Sequence, residues 1–266
     1  MINKYAENIR EELKNYLVQS KLKSLVVGIS GGIDSTLVVA LAKPVCKELG
    51  VKLIGKFIFI ESNKDEEVHR AINVGREFCD EFGVVDLTNE FLTIKPVMKV
   101  DVKETEKEEK IRLGNVKARL RMIYLYNIAQ ANKGMVLSTD NLTELLLGFW
   151  TLHGDVGDYG MIQNLWKTEV YEMSEYISKE IKDPNVIMDV VNADATDGLG
   201  ITKTDLDQIL PDWRDRHKTT REGYKEVDDI LKDMENNKES EVVKRFENTK
   251  FKRENPYNIP REKIIK

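Results

Sequence analysis

The 266-residue chain is poor in cysteine: Cys46 and Cys79 stand far apart and outside any CxxC pair. That excludes a disulfide scaffold and a structural zinc site. Apolar runs are short, all below the roughly 18 residues that a bilayer crossing needs. The N-terminal "MINKYAENIREELKNYL" lacks the apolar centre of a signal peptide. Positive charge is not in excess either: 41 Lys and Arg stand against 46 Asp and Glu, a net charge of −5. There is thus no bulk attraction to nucleic acid or anionic membrane. Two phosphate-loop patterns are also missing, since the chain has neither G-x-x-x-x-G-K-[ST] nor G-x-G-x-x-G. These absences leave a cytoplasmic protein with no membrane and no nucleic-acid partner. At 41% apolar residues it can bury one substantial core or two small ones.

What is present alternates in period. Residues 3–20 carry Ile9, Leu13 and Leu17 at helical spacing. "SLVVGI" is a short β-branched run without alternation, as in a strand buried on both faces. "STLVVALAKPVCKELG" is helical up to Gly50, with Pro44 expected to kink it or cut it short. "VKLIGKFIFI" is a second strand, "DEEVHRAINVGREFCDEFG" a helix stopped by glycine, and "GVVDL" a third, short strand. Such alternation predicts an α/β fold, an open parallel sheet with helices on both faces. Residues 101–110, "DVKETEKEEK", read either as a charged flexible loop or as a mobile flap beside a ligand. A long helix, the strand "MVLST", the helix "NLTELLLGFW" and the Gly/Asp-rich loop "TLHGDVGDYGMIQN" follow. Next come the helix "LWKTEVYEMSEYISKEI" and a charged, helical remainder with a C-terminal tail over residues 240–266. With no repeat and no linker, residues 1–266 read as a single domain.

The first strand-to-helix turn is where such a fold is expected to hold an anion. Its residues are Gly28, Ile29, Ser30, Gly31, Gly32, Ile33, Asp34 and Ser35. Ligands in open α/β sheets bind outside the carboxyl ends of strands. A glycine turn opening a helix offers backbone N–H groups there without a Cβ to block close approach. Asp34 takes the place a lysine holds in kinase-like loops. A carboxylate beside phosphates calls for a divalent cation between them, so Asp34 is a candidate Mg²⁺ ligand. It reads equally as a first-turn acid complementing the helix dipole.

"SGGIDS" resembles the pyrophosphate-binding loop of the ATP pyrophosphatases (the PP-loop superfamily, with a Rossmann-like, adenine-nucleotide alpha-hydrolase-like fold). "GNVKARLRM", "STDNLTELLLGFWTLHGD" and "LWKTEVYEM" extend the resemblance to ammonia-dependent NAD synthetase, over about Lys23 to Pro256. The resemblance implies a ligase that adenylates the carboxylate of deamido-NAD with ATP, then amidates it with ammonia to give NAD, AMP and pyrophosphate. Mg²⁺ is the implied cofactor and a homodimer the implied assembly.

By the same resemblance Gly28–Ser35, Thr139 and Lys167 bind ATP, and Asp34 and Glu144 hold the metal. Asp34, Glu144 and Lys167 are the catalytic group, while Arg119, Asp158 and Lys252 contact deamido-NAD. The residues by themselves allow plainer roles. Asn141 and Glu144 have capping-box spacing, Thr139 can simply end a strand, and Arg119 can sit on a solvated basic face. Lys252 can lie in a solvated tail. Lys167 is different, because a cation at a helix start opposes the dipole and so points to a nearby anion.

Some positions depart from the family pattern. Leu152 stands where a substrate-contacting lysine is common, Asn192 where a threonine or serine touches ATP, and Phe251 where the tail motif has histidine. The phosphate half of the pattern is intact and the dinucleotide half has drifted. Neither cysteine has the surroundings of a glutaminase nucleophile, so free ammonia, or ammonia from a partner protein, is the implied donor. Two rivals remain: an ATP pyrophosphatase with another acceptor (an amide ligase or a tRNA-modifying enzyme), and a non-catalytic nucleotide-binding regulator.

Overall fold

The computed structural model describes residues 1–61, 64–195 and 202–265. Helix α1 (Ile2–Ser20) leads into β1 (Ser24–Gly28), α2 (Ile33–Leu49), β2 (Lys52–Phe59), α3 (Asp65–Phe78), β3 (Glu81–Asp86) and α4 (Thr88–Ile94). After a 3₁₀ turn come α5 (Glu106–Ala131), β4 (Gly134–Ser138), α6 (Leu142–Leu147), β5 (Tyr159–Gly160), α7 (Lys167–Ser178) and α8 (Asn185–Val191). Short α9 (Leu206–Ile209) and α10 (Trp213–Arg216) precede α11 (Thr220–Lys232), α12 (Glu241–Asn248), α13 (Lys250–Arg253) and α14 (Arg261–Ile264).

The strands form one parallel sheet in the order β3-β2-β1-β4-β5. β1 is central, and its side chains divide between two cores. Leu25 and Val27 join α1, α2, α3, α7 and α8 on one face, while Val26 joins Phe91 of α4 and Met122, Leu125 and Ala129 of α5 on the other. The unbroken apolar run of this strand is therefore buried on both sides. The chain winds from β1 outward through β2 to β3, then returns to the other side of β1 as β4. That reversal opens a crevice at the carboxyl ends of β1 and β4.

Three readings of local structure need correction. Pro44 neither ends nor shortens α2, which runs five residues further. An interior proline costs about 3 kcal/mol. Leu37, Val38, Val39, Leu41, Val45 and Cys46 are all buried on this helix, at about 1.5–3 kcal/mol for each large side chain. Packing wins, and Pro44 itself faces solvent. The glycine stop of the next helix is displaced, because α3 ends at Phe78 and "EFG" begins β3. Gly75 explains the shape, since any Cβ there would overlap the Phe82 ring.

The charged stretch 101–110 is a loop only in its first half. Thr105 caps α5 by accepting from the Glu108 amide at 3.3 Å, and Glu108 accepts from the Thr105 amide at 2.8 Å. The Thr-x-x-Glu spacing of that capping box was legible in the sequence.

Candidate active site

The turn after β1 is held by a one-directional network. The Ser35 hydroxyl donates to the Gly32 carbonyl at 3.1 Å and accepts from the Ser30 amide at 3.3 Å. The Ser30 hydroxyl accepts from the Gly32 amide and, with the Ser35 proton already committed, donates to Ser35 at 3.2 Å. Gly31 sits at φ +80°, and a Cβ there would overlap the Glu67 carbonyl oxygen of α3. Gly31→Ala is therefore expected to cost more than the 1–2 kcal/mol of a left-handed side chain. It should weaken nucleotide binding at least about tenfold, read by nucleotide titration and thermal melts. Gly50→Ala is the control, because Gly50 also has positive φ but open space around it. It should lower the melting temperature and leave nucleotide affinity alone.

Across the crevice, α2, α6 and α7 all begin at one point. Asp34 lies on the first turn of α2, Glu144 on that of α6, and Lys167 is the first residue of α7. Lys167 Nζ donates to Asp34 Oδ2 at 2.5 Å and to Glu144 Oε1 at 3.0 Å, with its side chain only 4% exposed. The anion that the placement of Lys167 called for is thus two carboxylates. Asn141 binds the third side of the cluster, its Nδ2 donating to Asp34 Oδ1 at 2.8 Å.

The capping reading of Glu144 holds together with the cluster. Its amide donates to Asn141 Oδ1 at 3.0 Å, and Oε2 accepts from the Asn141 amide at 3.3 Å while Oε1 faces Lys167. Burial and the neighbouring Asp34 push the Glu144 carboxyl up to about 8, against the pull of Lys167. Burial alone would lower the Lys167 ammonium, yet Asp34 and Glu144 together hold it well above its ordinary range. Burial also raises Asp140, bonded to Ser138 Oγ at 2.6 Å, to about 7. Lys167 thus sits between two carboxyl groups, with the buried Asp140 adding to the repulsion felt by Glu144. Among the described residues no cluster of three metal-ligating side chains exists. A pair of carboxylates beside the Ser-Gly-Gly turn is nonetheless the kind of donor set that Mg²⁺ commonly takes, with phosphate oxygens and water completing its shell.

A cleft of about 670 Å³ joins the turn to the cluster, lined among others by Gly28–Asp34, Thr139, Glu144, Lys167, Arg121, Arg245 and Lys252. The ATP-side residues are thus brought together; Ser35 lies just behind them. The dinucleotide residues are not. Arg119 points out of the cleft, donating to the Leu152 carbonyl at 2.9 Å. Asp158 ties β4 to α5, accepting from the Val136 amide at 3.0 Å and the Tyr126 hydroxyl at 2.8 Å. Lys252 does line the cleft, where its Nζ donates to the Gly148 carbonyl at 2.6 Å and to the Trp150 carbonyl. The tail it belongs to is not simply solvated: Arg245 donates to the Leu147 carbonyl at 2.9 Å and Arg253 to Leu146 at 2.5 Å. Three cations therefore cap the end of α6 and hold in place the helix that carries Glu144.

Arg121, in the same basic stretch as Arg119 but given no site role from the sequence, faces the cleft with its Nε donating to the Ile58 carbonyl at 3.0 Å. Helical spacing from the buried Ala118 and Leu125 was the available signal. Asn192 caps the end of α8, and the rest of its glycine-bearing loop, residues 196–201, lies outside the described residues.

With this geometry in view, a family model of NAD synthase matches residues 5–256. The chain belongs to the NAD synthase family. NH(3)-dependent NAD(+) synthetases from Finegoldia magna and Wolinella succinogenes are 32% and 31% identical to it, over 94% and 96% of this chain and 93% of each relative. Solved structures agree on the fold. An NMN synthetase from Francisella tularensis superposes with a TM-score of 0.78, and an NH3-dependent NAD synthetase from Campylobacter jejuni with 0.70. Both are 22% identical, with 98% of each chain covered. Family membership makes the protein an ATP-using ligase that forms a carbon–nitrogen bond. Among the described residues no helix is long and apolar enough to cross a membrane.

Proposed function

We propose that this chain is a cytoplasmic, ammonia-dependent NAD synthetase acting on ATP, deamido-NAD and ammonia. The supporting observation is the Asp34–Lys167–Glu144 cluster at the crevice between β1 and β4, facing the Ser-Gly-Gly turn. A free carboxylate is a poor acyl donor, so the reaction first joins it to the α-phosphorus of ATP. The turn amides and Lys167 bind the β,γ end and stabilise it as it leaves as pyrophosphate. The cleft then holds the acyl-adenylate away from bulk water until ammonia displaces AMP. Mg²⁺, held by Asp34 and Glu144, would neutralise charge on the phosphates. Relatives named for ammonia, matched over 93% of their length, support ammonia as the donor.

One face of α5 carries Arg119, Ile123 and Tyr126, with Ile123 67% exposed. A second copy covering that apolar surface would form a homodimer and set Arg119 at the subunit boundary beside the dinucleotide. A second acceptor has one observation in its favour: within a single chain Arg119 and Asp158, the residues expected to contact the dinucleotide, are bonded elsewhere, which suits the smaller mononucleotide that yields NMN.

Incubation with ATP, Mg²⁺ and ammonia, with deamido-NAD or nicotinate mononucleotide as acceptor, is expected to yield AMP, pyrophosphate and NAD in equal amounts from the dinucleotide. Preference for the mononucleotide selects the second acceptor. ADP with orthophosphate would overturn both readings.

A further inference from the structure

Asp228, on α11, is fully buried and hydrogen-bonded to two helices other than its own. Its Oδ1 accepts from the Thr143 hydroxyl at 2.5 Å, and its Oδ2 from the Thr168 amide at 2.9 Å and hydroxyl at 2.8 Å. The Thr143 oxygen in turn accepts from the Lys167 amide at 3.0 Å. Thr143 immediately precedes Glu144, and Thr168 immediately follows Lys167. We propose that Asp228 is a positioning residue for the ATP site, locking the start of α6 to the start of α7 so that Glu144 and Lys167 meet. This rests on the proposed role of those two residues.

The bonding has a direction. The Lys167 N–H donates to Thr143, whose own proton goes to Asp228, and Thr168 supplies two further donors. Every partner of Asp228 is a donor, so the position needs an acceptor-only group, which an ionised carboxylate is and an amide is not. Burying a carboxylate is costly unless its oxygens are bonded, and here three donors serve it. Capping α7 does not by itself explain the arrangement. The Trp166 amide is already served by Glu169 at 2.9 Å, and a cap needs no bond to Thr143 on α6. One turn earlier on α11, the Tyr224 ring lies 5.3 Å below the Lys167 ammonium. The same helix therefore supports Lys167 from beneath and fixes its backbone.

The test compares Asp228→Asn, Thr143→Val and Thr143→Ser with wild type in the full chain. Because turnover and stability can fall together, Val227→Ala on the same helix, buried but outside the network, serves as the stability control. Asp228→Asn and Thr143→Val are expected to lower kcat about 10–100-fold and raise the KM for ATP, leaving the KM for ammonia unchanged. Thr143→Ser, which keeps the hydroxyl, should restore wild-type values. Val227→Ala should lower the melting temperature with kcat intact. If Asp228→Asn does not fold, the Val and Ser variants of Thr143 decide alone. The inference is overturned if Asp228→Asn or Thr143→Val keeps kcat and KM for ATP within twofold of wild type, or if Val227→Ala reproduces the loss. A wild-type chain that makes no AMP overturns the ATP-site reading, and the positioning role with it.

Discussion

Lys167→Met should lower turnover by about three orders of magnitude or more, corresponding to at least about 4 kcal/mol of transition-state stabilisation. The ammonium is the only described cation within ion-pair distance of Asp34 and Glu144. Methionine fills similar volume without the charge on which the proposed role at the leaving pyrophosphate depends. Breaking a buried ion pair typically costs 3–5 kcal/mol of stability, because the partners remain buried and uncompensated. Here Glu144 can take up a proton, since burial and Asp34 already raise its carboxyl to about 8. Losing Lys167 raises it further.

The sign follows from linkage. A carboxyl that titrates higher in the folded than in the unfolded chain loses stability as pH rises from about 4.5 through its folded value. The deficit of Lys167→Met against wild type, set below about pH 8 by the cation lost beside Asp34, should therefore stay level from pH 5 to about 8 and grow from there toward pH 9. Urea melts across that range check this, and a deficit independent of pH would show that Lys167 does not govern Glu144.

Glu144→Gln is expected to cost about as much activity while leaving the protein folded and more stable. Glutamine keeps an oxygen for the Asn141 amide, so the capping box survives. What disappears is the charge held beside Asp34 and Lys167. Because the folded state disfavours that charge, wild type loses stability between pH 4.5 and about 8. The glutamine variant does not, so its melting temperature should match wild type near pH 4.5 and exceed it by several degrees at pH 8. An active site that is itself a source of instability is the expected cost of such clustering. Near-normal AMP production by Glu144→Gln, or by Asp34→Asn, would remove that residue from the site.

Much of this was legible along the chain because its causes are local. The β-branched run of β1 and the Ser-Gly-Gly turn each depend on a few neighbouring residues. Lys167 was informative because its conflict with the helix dipole demanded a neighbour, and that neighbour proved to be Asp34 with Glu144. The misreadings had non-local causes. Pro44 is tolerated because the burial of the apolar side chains around it on α2 outweighs its cost, and "EFG" is drawn into β3 by pairing with Ile54–Lys56. Arg119 and Arg121 differ by two positions, yet only Arg121 faces the cleft, since two residues on a helix lie about 200° apart.

Composition, periodicity and turn chemistry alone determined that this chain builds a parallel α/β sheet with a Ser-Gly-Gly turn opening a helix after its first strand. Sheet order decided the rest: placing β4 beside β1 brings Asp34 and Glu144, 110 positions apart in the numbering, onto one ammonium. No spacing rule encodes that meeting, because it arises from which strands pair and which helices pack. The same packing buries Asp228 where it can hold two helix starts together.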